Sequence, residues 1–217
     1  MVVPSLPHKT VVLFALEQES RPFLRDTKGR TDIDVRTSGM GRKNAEAAIL
    51  RVLAGGRPGH VITTGVTGGL RPDLAVGDIV FDTSDPGLAG ALIALGGKPV
   101  RFATTEHVLV TVADRQRLRE QTGADVVENE SGFIRAICRN RGVNCTIIRA
   151  ISDTADQDLP FDFNKLVGPD QNVDYCKVAW ALLSAPWKLP ALLQLWRNTN
   201  IATKKLSAFL RQALPQR

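Results

Sequence analysis

The first clear pattern in the chain is a continuous apolar run over residues 11–16. It lacks the alternation of a half-exposed strand and predicts a strand that is buried on both faces. Polar and glycine-rich turns separate this run from further short apolar or alternating segments. These segments predict strands at 33–37, 60–64, 78–81, 108–112, 125–127 and 145–151.

Helical patterns lie between most of these strands. They span 43–53, 113–121 and 130–140, whereas residues 84–100, rich in Gly, Ala and Leu, favour no single assignment. Residues 176–212 are also helical in pattern, with breaks expected at Pro186 and Pro190. The alternation of strands and helices predicts a three-layer α/β/α sandwich around a central mixed sheet, with a single domain over residues 1–217.

Charge is distributed unevenly along the 217 residues. The formal net charge is +6, yet residues 1–176 carry 21 basic and 22 acidic side chains. The basic C-terminal segment, residues 176–217, has seven basic side chains, no acidic one and all three tryptophans: Trp180, Trp187 and Trp196. The neutral body argues against nucleic-acid binding. The segment is typical either of a helix that lies on a membrane surface or of a packed helix with a solvated basic face.

The cysteines, the apolar runs and the histidines indicate the kind of protein and the kinds of site to expect. The three cysteines form no CxxC pair and predict free, buried thiols in a cytoplasmic protein; they are Cys138, Cys145 and Cys176. No apolar run is long enough to span a membrane, and the N-terminus does not resemble a signal peptide. The histidines lack metal-ligand spacing; they are His8, His60 and His107. GxSxG and P-loop motifs are absent, and we expect no metal and no cofactor.

Polar residues follow several predicted strands at their carboxyl ends, where α/β folds bind their ligands. These segments are 17–19, 38–41, 64–69, 128–130 and 152–153. Each of them alone also fits a helix cap or a turn. The glycine pair at 39 and 41 lacks the third glycine of a dinucleotide-binding fingerprint. Together the segments predict a cleft at one edge of the sheet.

In their order along the chain, these motifs resemble the purine nucleosidases that cleave methylthioadenosine and S-adenosylhomocysteine, a branch of the nucleoside phosphorylase superfamily. The matching segments are ALEQE (15–19), SGMGRKNA (38–45), VITTGVTGGL (61–70), VGDIV (76–80), ENE (128–130) and RAISDTAD (149–156). Residues 168–174 and 186–193 are similar to the end of hopanoid-associated phosphorylases, whose implied reaction removes adenine from adenosylhopane.

The resemblance implies cleavage of the N-glycosidic bond of a 5′-substituted adenosine, with release of adenine. It implies that Asp153 is the general acid at the purine, that Ser152 orients it, and that Glu19 activates water. Glu130 would bind the ribose hydroxyls, and Arg149 would support the acidic motif from behind. Asp153 would have to be buried for this role, because burial raises the pKa of a carboxyl group.

Further substrate contacts are implied for the remaining motif residues. They are Met40, Val66, Thr67, Gly68, Glu128, Asn129 and Phe161. Val66 replaces a small polar residue of the family, and Asn129 replaces a methionine under the ribose. The segment between Phe81 and Val108 is short and shows no aromatic residue to stack on adenine. These departures leave the 5′ substituent open, and a ligand-binding relative without activity is the second functional class.

Hydrolysis and phosphorolysis differ in what must follow the first strand. Phosphorylases of the superfamily carry a phosphate cradle there, whereas this chain has Glu17 and Glu19, which repel phosphate. This favours hydrolysis, although Arg21 and Arg42 nearby keep phosphorolysis as the alternative. The resemblance also implies a homodimer in which a neighbouring chain closes the pocket.

Overall fold

A mixed sheet runs through the centre of the protein, which the computed structural model describes over residues 9–166, 177 and 183–214. Its strands within these ranges are β1 (Thr10–Phe14), β2 (Ile33–Thr37), β3 (His60–Gly69), β4 (Ile79–Asp82), β5 (Lys98–Pro99), β6 (Phe102–Thr104), β7 (Val126–Glu128) and β8 (Cys145–Asp153). Hydrogen-bonded neighbours follow the order β2-β1-β3-β8-β4-β5. β7 pairs with the end of β3, and β6 pairs with β7.

Helices cover both faces of this sheet. They are α1 (Glu17–Asp26), α2 (Gly41–Ala54), α3 (Pro86–Ala94), α4 (Val112–Thr122), α5 (Ser131–Asn140) and α6 (Leu189–Ala213). One core cluster joins the sheet to α1, α3 and α6, and a second joins it to α2 and α5. The predicted three-layer α/β/α sandwich is confirmed.

β1 shows why its sequence is apolar at every position. Val12 and Phe14 pack into the core beneath α1 and α6, whereas Val11 and Leu13 pack beneath α2 and α5. Successive side chains of a strand point to opposite faces, and both faces are covered here. Each fully buried side chain of this kind contributes about 1.5–3 kcal/mol to folding.

The prediction of a strand at 108–112 is wrong. The strand in this region is β6, which ends at Thr104, and α4 already begins at Val112. Thr111 caps α4, because its side chain accepts a hydrogen bond from the Asp114 amide at 3.1 Å. The Val108 amide donates to the Asn164 side chain at 2.8 Å rather than to a neighbouring strand. The apolar run therefore serves as a packed loop that leads into a helix.

Residues 84–100, left without an assignment from the sequence, form α3 and the short strand β5. Asp85 caps α3 by accepting a hydrogen bond from the Leu88 amide at 3.0 Å, and Pro86 occupies the first turn. The other large difference lies in β3, which was predicted to end at Thr64. It continues to Gly69, and this extension pairs with both β7 and β8.

The helix break predicted at Pro190 is wrong. Pro190 lies in the first turn of α6, where the missing amide hydrogen would have no partner within the helix. Pro186 opens a 3₁₀ turn, Pro186–Lys188, immediately before α6. The second half of α6 is buried against the sheet through residues such as Leu206 and Leu210.

Some of the sequence-based predictions fall on residues outside the described ranges: the start of the helical segment at 176, Trp180, Cys176, His8 and the motif at 168–174. Cys138 and Cys145 are described, and both are buried, free thiols. None of the helices within the described ranges combines the length and the apolarity needed to cross a bilayer.

Candidate active site

A cleft opens at the edge where the parallel strands β1, β3 and β8 end. The space inside it, including the part open to solvent, is about 700 Å³. Its lining includes Glu19, Met40, Val66, Thr67, Gly68, Glu128, Asn129, Glu130, Ser152 and Asp153, together with Arg115 and Arg149. Phe161 is not among the described residues that line it. The structure thus brings together all the other site residues proposed from the sequence.

Glu19 reaches the cleft from the first turn of α1. One carboxylate oxygen accepts a hydrogen bond from the Leu16 amide, and the other accepts one from the Val66 amide on β3, both at 3.3 Å. Burial raises the pKa of the Glu19 carboxyl to about 7, because its lost hydration outweighs the attraction of Arg149. The nearby charge of Glu130 acts in the same direction as burial. A carboxyl group with such a pKa exchanges protons readily near neutral pH.

Gly65 makes room for this carboxylate. A Cβ atom at position 65 would lie 2.8 Å from Glu19 Oε2 and 3.2 Å from Arg149 Nη1, and the backbone φ there is +144°. Both the close approach and the dihedral angle require glycine. The glycine-rich segment of β3 is thus shaped by the charged groups that it packs against.

Glu17 has a different role from Glu19, although both stand in the first turn of α1. Its side chain is 71% exposed and forms an ion pair with Arg21 one turn later. Glu17 therefore plays the helix-start role that the sequence also allowed for both residues. Of the two carboxylates, Glu19 is the one that lines the cleft.

Arg149 forms the centre of a buried charge cluster behind the cleft. Its guanidinium lies 2.9 Å from Glu128 and 3.3 Å from Glu130, and it also donates to the Ser131 hydroxyl. A further hydrogen bond of 3.0 Å goes to the Val66 carbonyl. One cation thus holds two carboxylates and connects them to β3.

The two carboxylates of this cluster differ in how fully the protein satisfies them. Glu128 accepts hydrogen bonds from the amides of Glu130 and Ser131, from Arg149 and from Thr104. Glu130 accepts one from the Gly41 amide, at the start of α2, and one from Arg149. Burial raises the pKa of Glu130, and the adjacent Glu128 charge adds to this effect.

Asp153, at the end of β8, is held from two sides. The Ser152 hydroxyl donates to Oδ1 at 2.5 Å, as expected from the sequence. The guanidinium of Arg115, from α4, donates to Oδ2 and forms a buried ion pair with it. The expectation that Arg149 supports this motif is corrected, because the described contacts of Arg149 are with the glutamate cluster and β3.

Of the remaining proposed contacts, Thr67, Asn129 and Val66 line the cleft near these charged groups, whereas Phe161 lies outside its lining. Thr67 donates its hydroxyl to the Val127 carbonyl at 2.7 Å, and the Asn129 amide donates to the Thr105 carbonyl at 2.8 Å. Val66 contributes its backbone, whose amide and carbonyl contact Glu19 and Arg149. Phe161 lies beneath Lys188, whose ammonium is 5.3 Å from the ring centre.

No group of three or more His, Cys, Asp or Glu side chains within the described ranges is placed to hold a metal ion. The polar side chains that line the cleft carry carboxylate, guanidinium, hydroxyl and amide groups. Arg115 is the charged cleft residue that the sequence reasoning missed. Its neighbours in the chain are polar and charged, and that pattern resembles an ordinary solvated helix face.

A comparison with protein families identifies the chain. The family model described as "Phosphorylase superfamily" matches residues 10–84 and 88–184. The chain belongs to the phosphorylase superfamily.

Among curated proteins, the chain is similar to the 5′-methylthioadenosine/S-adenosylhomocysteine nucleosidase of Shewanella baltica (strain OS185). The two are 24% identical over 180 residues, which covers 67% of this chain and 76% of the relative. The enzyme of the same name from Shewanella sp. (strain W3-18-1) is also 24% identical, with 78% of its length covered.

Solved structures show the same fold. Futalosine hydrolase of Helicobacter pylori strain 26695 matches with a TM-score of 0.72 at 15% identity, covering 95% of this chain and 97% of that one. The 5′-methylthioadenosine/S-adenosyl homocysteine nucleosidase of Campylobacter jejuni matches with a TM-score of 0.67 at 17% identity, covering 94% and 98%.

Because the chain belongs to the phosphorylase superfamily, the positions of Arg21 and Arg42 bear on whether the cleft can bind phosphate. Arg21 is 65% exposed and paired with Glu17, and Arg42 is 52% exposed and paired with Glu46 and Glu106. Neither is among the described residues that line the cleft. The cations that do line it, Arg115 and Arg149, are both paired with carboxylates.

Proposed function

We propose that this protein is a purine nucleosidase that hydrolyses the N-glycosidic bond of a 5′-substituted adenosine and releases adenine. The observation that carries the proposal is the presence of two separately held carboxyl groups, Glu19 and Asp153, in one cleft. Glycosidic cleavage needs an acid at the leaving group and a base at the attacking water. The named activity of the curated relatives supports the same reaction.

Asp153 acts on the leaving purine in this proposal. As the bond between the purine and the anomeric carbon breaks, its electron pair moves onto the purine. A proton from Asp153 then neutralises the developing charge on a ring nitrogen. Ser152 donates to Oδ1 and Arg115 donates to Oδ2 of this carboxyl group, and each oxygen keeps a further lone-pair site that can face the base.

Glu19 acts on water. Its pKa of about 7 allows it to accept a proton from a water molecule as that water adds to the anomeric carbon. The products are free adenine and the 5′-substituted ribose, and proton exchange with solvent returns Glu19 and Asp153 to their starting states.

Glu130 binds the ribose hydroxyls, because a carboxylate can accept two hydrogen bonds from a vicinal diol. Glu128 supports this residue from behind, since its hydrogen bonds go to the protein. Met40 lines the cleft as the apolar contact for the sugar substituent. Val66, Thr67, Gly68 and Asn129 complete the proposed substrate contacts.

Adenine release from a panel of nucleosides tests the proposal. The panel contains adenosine, methylthioadenosine, S-adenosylhomocysteine and adenosines with longer apolar 5′ groups. We expect Asp153→Asn to lower kcat by about 100-fold or more, because general acid catalysis contributes roughly 10²–10⁴. Asp156→Asn is the matched control, because this exposed residue of the same motif hydrogen-bonds to Thr154. If wild type releases no base from any member of the panel, the ligand-binding alternative replaces the enzyme.

Hydrolysis is favoured over phosphorolysis by the position of the cations. Phosphate binding needs cationic groups that are free to hold it, whereas the arginines of the cleft are already paired with carboxylates. Base release should therefore proceed at the same rate with and without phosphate. An absolute requirement for phosphate, with the 5′-substituted ribose 1-phosphate as product, would establish the phosphorylase alternative instead.

We further propose that the start of α6 contacts an anionic membrane surface or a lipidic substrate such as adenosylhopane. Trp187 and Trp196 are 73% and 63% exposed, and Leu189 and Leu193 are exposed beside them. Residues 189, 193 and 196 share one helix face by their spacing. The basic C-terminal segment carries no acidic residue, which favours an anionic surface.

Co-sedimentation with vesicles of phosphatidylcholine and phosphatidylglycerol tests the contact with membranes. We expect wild type to bind and the double variant Trp187→Ala/Trp196→Ala to lose most of the binding. Ile93→Ala on α3, also an exposed apolar residue, is the control. Equal sedimentation of the tryptophan variant and wild type would leave the packed-helix interpretation.

A homodimer stays a prediction from the family resemblance. Sedimentation equilibrium of the purified protein measures the mass directly. A monomer at the concentrations used for activity would contradict a pocket that is completed by a second chain. The same experiment, repeated with adenine, shows whether ligand binding changes the assembly.

A further inference from the structure

The end of the cleft around Asp153, where the purine is proposed to bind, contains a buried cation that the nucleosidase proposal does not use. Arg115 is 2% exposed and is the residue that α4 buries, whereas its neighbour Arg117 on the same helix is 66% exposed. Burying a guanidinium is costly unless its charge and its donors are satisfied. Specific contacts must therefore compensate for the burial of Arg115.

The contacts of Arg115 connect three parts of the site. Nη2 donates to Asp153 Oδ2, and Nη1 donates to the Thr154 carbonyl at 3.0 Å and to the Gly69 carbonyl at 3.4 Å. These carbonyls lie at the ends of β8 and β3. One rigid, planar group thus fixes the Asp153 carboxylate, which β8 carries, relative to the ends of both strands.

Gly68 accommodates this ion pair. A Cβ atom at position 68 would lie 3.0 Å from Asp153 Oδ2 and 3.4 Å from Arg115 Nη1. The backbone of β3 therefore packs directly against the pair. Arg115 Nε is buried without a hydrogen-bond partner among the described residues, so the protein does not use all of the donors of this group.

The start of α4 is fastened to the loop that follows β8. The Val112 amide donates to Asp158 Oδ1 at 2.7 Å, and the Leu159 amide donates to the Val110 carbonyl at 2.8 Å. These bonds fix the helix that carries Arg115 against the segment that follows Asp153. The geometry at Asp153 is therefore set by α4 as well as by β8.

We infer that Arg115 is a positioning residue for Asp153, holding its carboxyl group in the orientation that faces the purine. Ser152 fixes Oδ1 and Arg115 fixes Oδ2, so rotation of the carboxyl group about its Cβ–Cγ bond is restrained on both sides. The inference rests on the proposed nucleosidase function. It adds a residue of α4 to a site otherwise built from strand ends, the loops that follow them and the first turn of α1.

Steady-state kinetics of Arg115→Met, Arg115→Lys and the control Arg117→Met test this inference on the nucleoside that wild type cleaves best. Methionine preserves the apolar stem and removes the donors and the charge. We expect Arg115→Met to lower kcat by 10- to 100-fold while KM changes by less than about threefold, as for an interaction realised in the transition state. Arg115→Lys should recover part of kcat, and Arg117→Met should match wild type.

A double-mutant cycle with Asp153→Asn separates positioning from a general structural role. If Arg115 acts through Asp153, adding Arg115→Met to Asp153→Asn should change kcat by less than twofold. Multiplying effects, or a kcat of Arg115→Met within twofold of wild type, would overturn the inference. Where Asp153→Asn leaves no measurable rate, recovery by lysine decides. If wild type releases no base at all, that result contradicts the nucleosidase proposal instead. Circular dichroism of Arg115→Met checks that the variant is folded.

Discussion

Two glutamates separated by a single residue show how position on a helix decides the chemistry of a side chain. Glu17 is exposed and paired with Arg21, whereas Glu19 is buried against β3 with its pKa raised to about 7. The sequence placed both in the first turn of a helix. Only the packing of α1 on β3 decides which of the two carboxyl groups loses its hydration and has its pKa raised.

Glu19 should make the protein less stable as the pH rises. Its pKa is about 7 when folded and 4.5 when exposed, so the folded state binds more protons between these values and is stabilised at low pH. Glutamine does not titrate, so Glu19→Gln should lack this loss of stability. Between pH 5 and pH 8, the free energy of unfolding of wild type should fall relative to that of Glu19→Gln by on the order of 2–3 kcal/mol. Urea unfolding at both pH values measures this difference.

The same substitution should abolish base release, because glutamine cannot accept the proton from water. Glu17→Gln is the matched control and should leave both activity and the pH dependence of stability unchanged. A Glu19→Gln protein that shows the wild-type pH dependence would contradict the raised pKa.

At the scale of whole elements, β3 and α6 carry most of the difference between expectation and structure. β3 is twice as long as predicted. The sequence predicted only its first half, because the second half contains glycines and polar residues that usually indicate a loop. The glycines are needed because charged side chains from α1, α4 and β8 approach the strand backbone closely. The composition of this segment thus reflects the site more than the secondary structure.

Gly65→Ala tests this reading of β3. The new Cβ atom would overlap Glu19 Oε2 and would hold alanine at a φ of +144°, which costs about 1–3 kcal/mol. We expect lower stability and a kcat reduced by at least tenfold, because the Glu19 carboxylate must move. Gly90→Ala on α3 is the control, since nothing lies within 4 Å of its Cβ position; it should stabilise by about 0.5–1 kcal/mol.

α6 is divided between a surface half and a core half. Leu206 is fully buried, so Leu206→Ala should lower the free energy of unfolding by about 2–5 kcal/mol. Leu193 is 47% exposed, and Leu193→Ala should change it by no more than about 0.5 kcal/mol. Thermal or urea unfolding of both variants measures the contrast. Similar losses would mean that the first half of the helix is also covered in solution.

At the scale of the whole molecule, the net charge of +6 resides in the basic C-terminal segment, and the body is nearly neutral. If this segment binds anionic vesicles as proposed, charge and apolar contact contribute separately. We expect binding to weaken as salt rises from about 0.1 to 1 M, because the Debye length falls from about 10 to 3 Å. The tryptophan double variant should bind poorly throughout. Binding that does not change with salt would exclude the electrostatic contribution.

The sequence by itself determined the layered α/β architecture and most of the site. Buried strands need apolar residues on both faces, as in β1, and ligand-binding segments follow strand ends, so both leave patterns that are local in the chain. Those local patterns also carried the resemblance that named Glu19, Glu130 and Asp153.

Tertiary structure alone decided how these groups are held. Which arginine of a polar helix is buried depends on where that helix docks, and this placed Arg115 rather than Arg149 against Asp153. The pKa of Glu19 depends on lost hydration and on charges brought from β8 and the loop before α5. Long-range packing sets both quantities, and neither has a local sequence pattern.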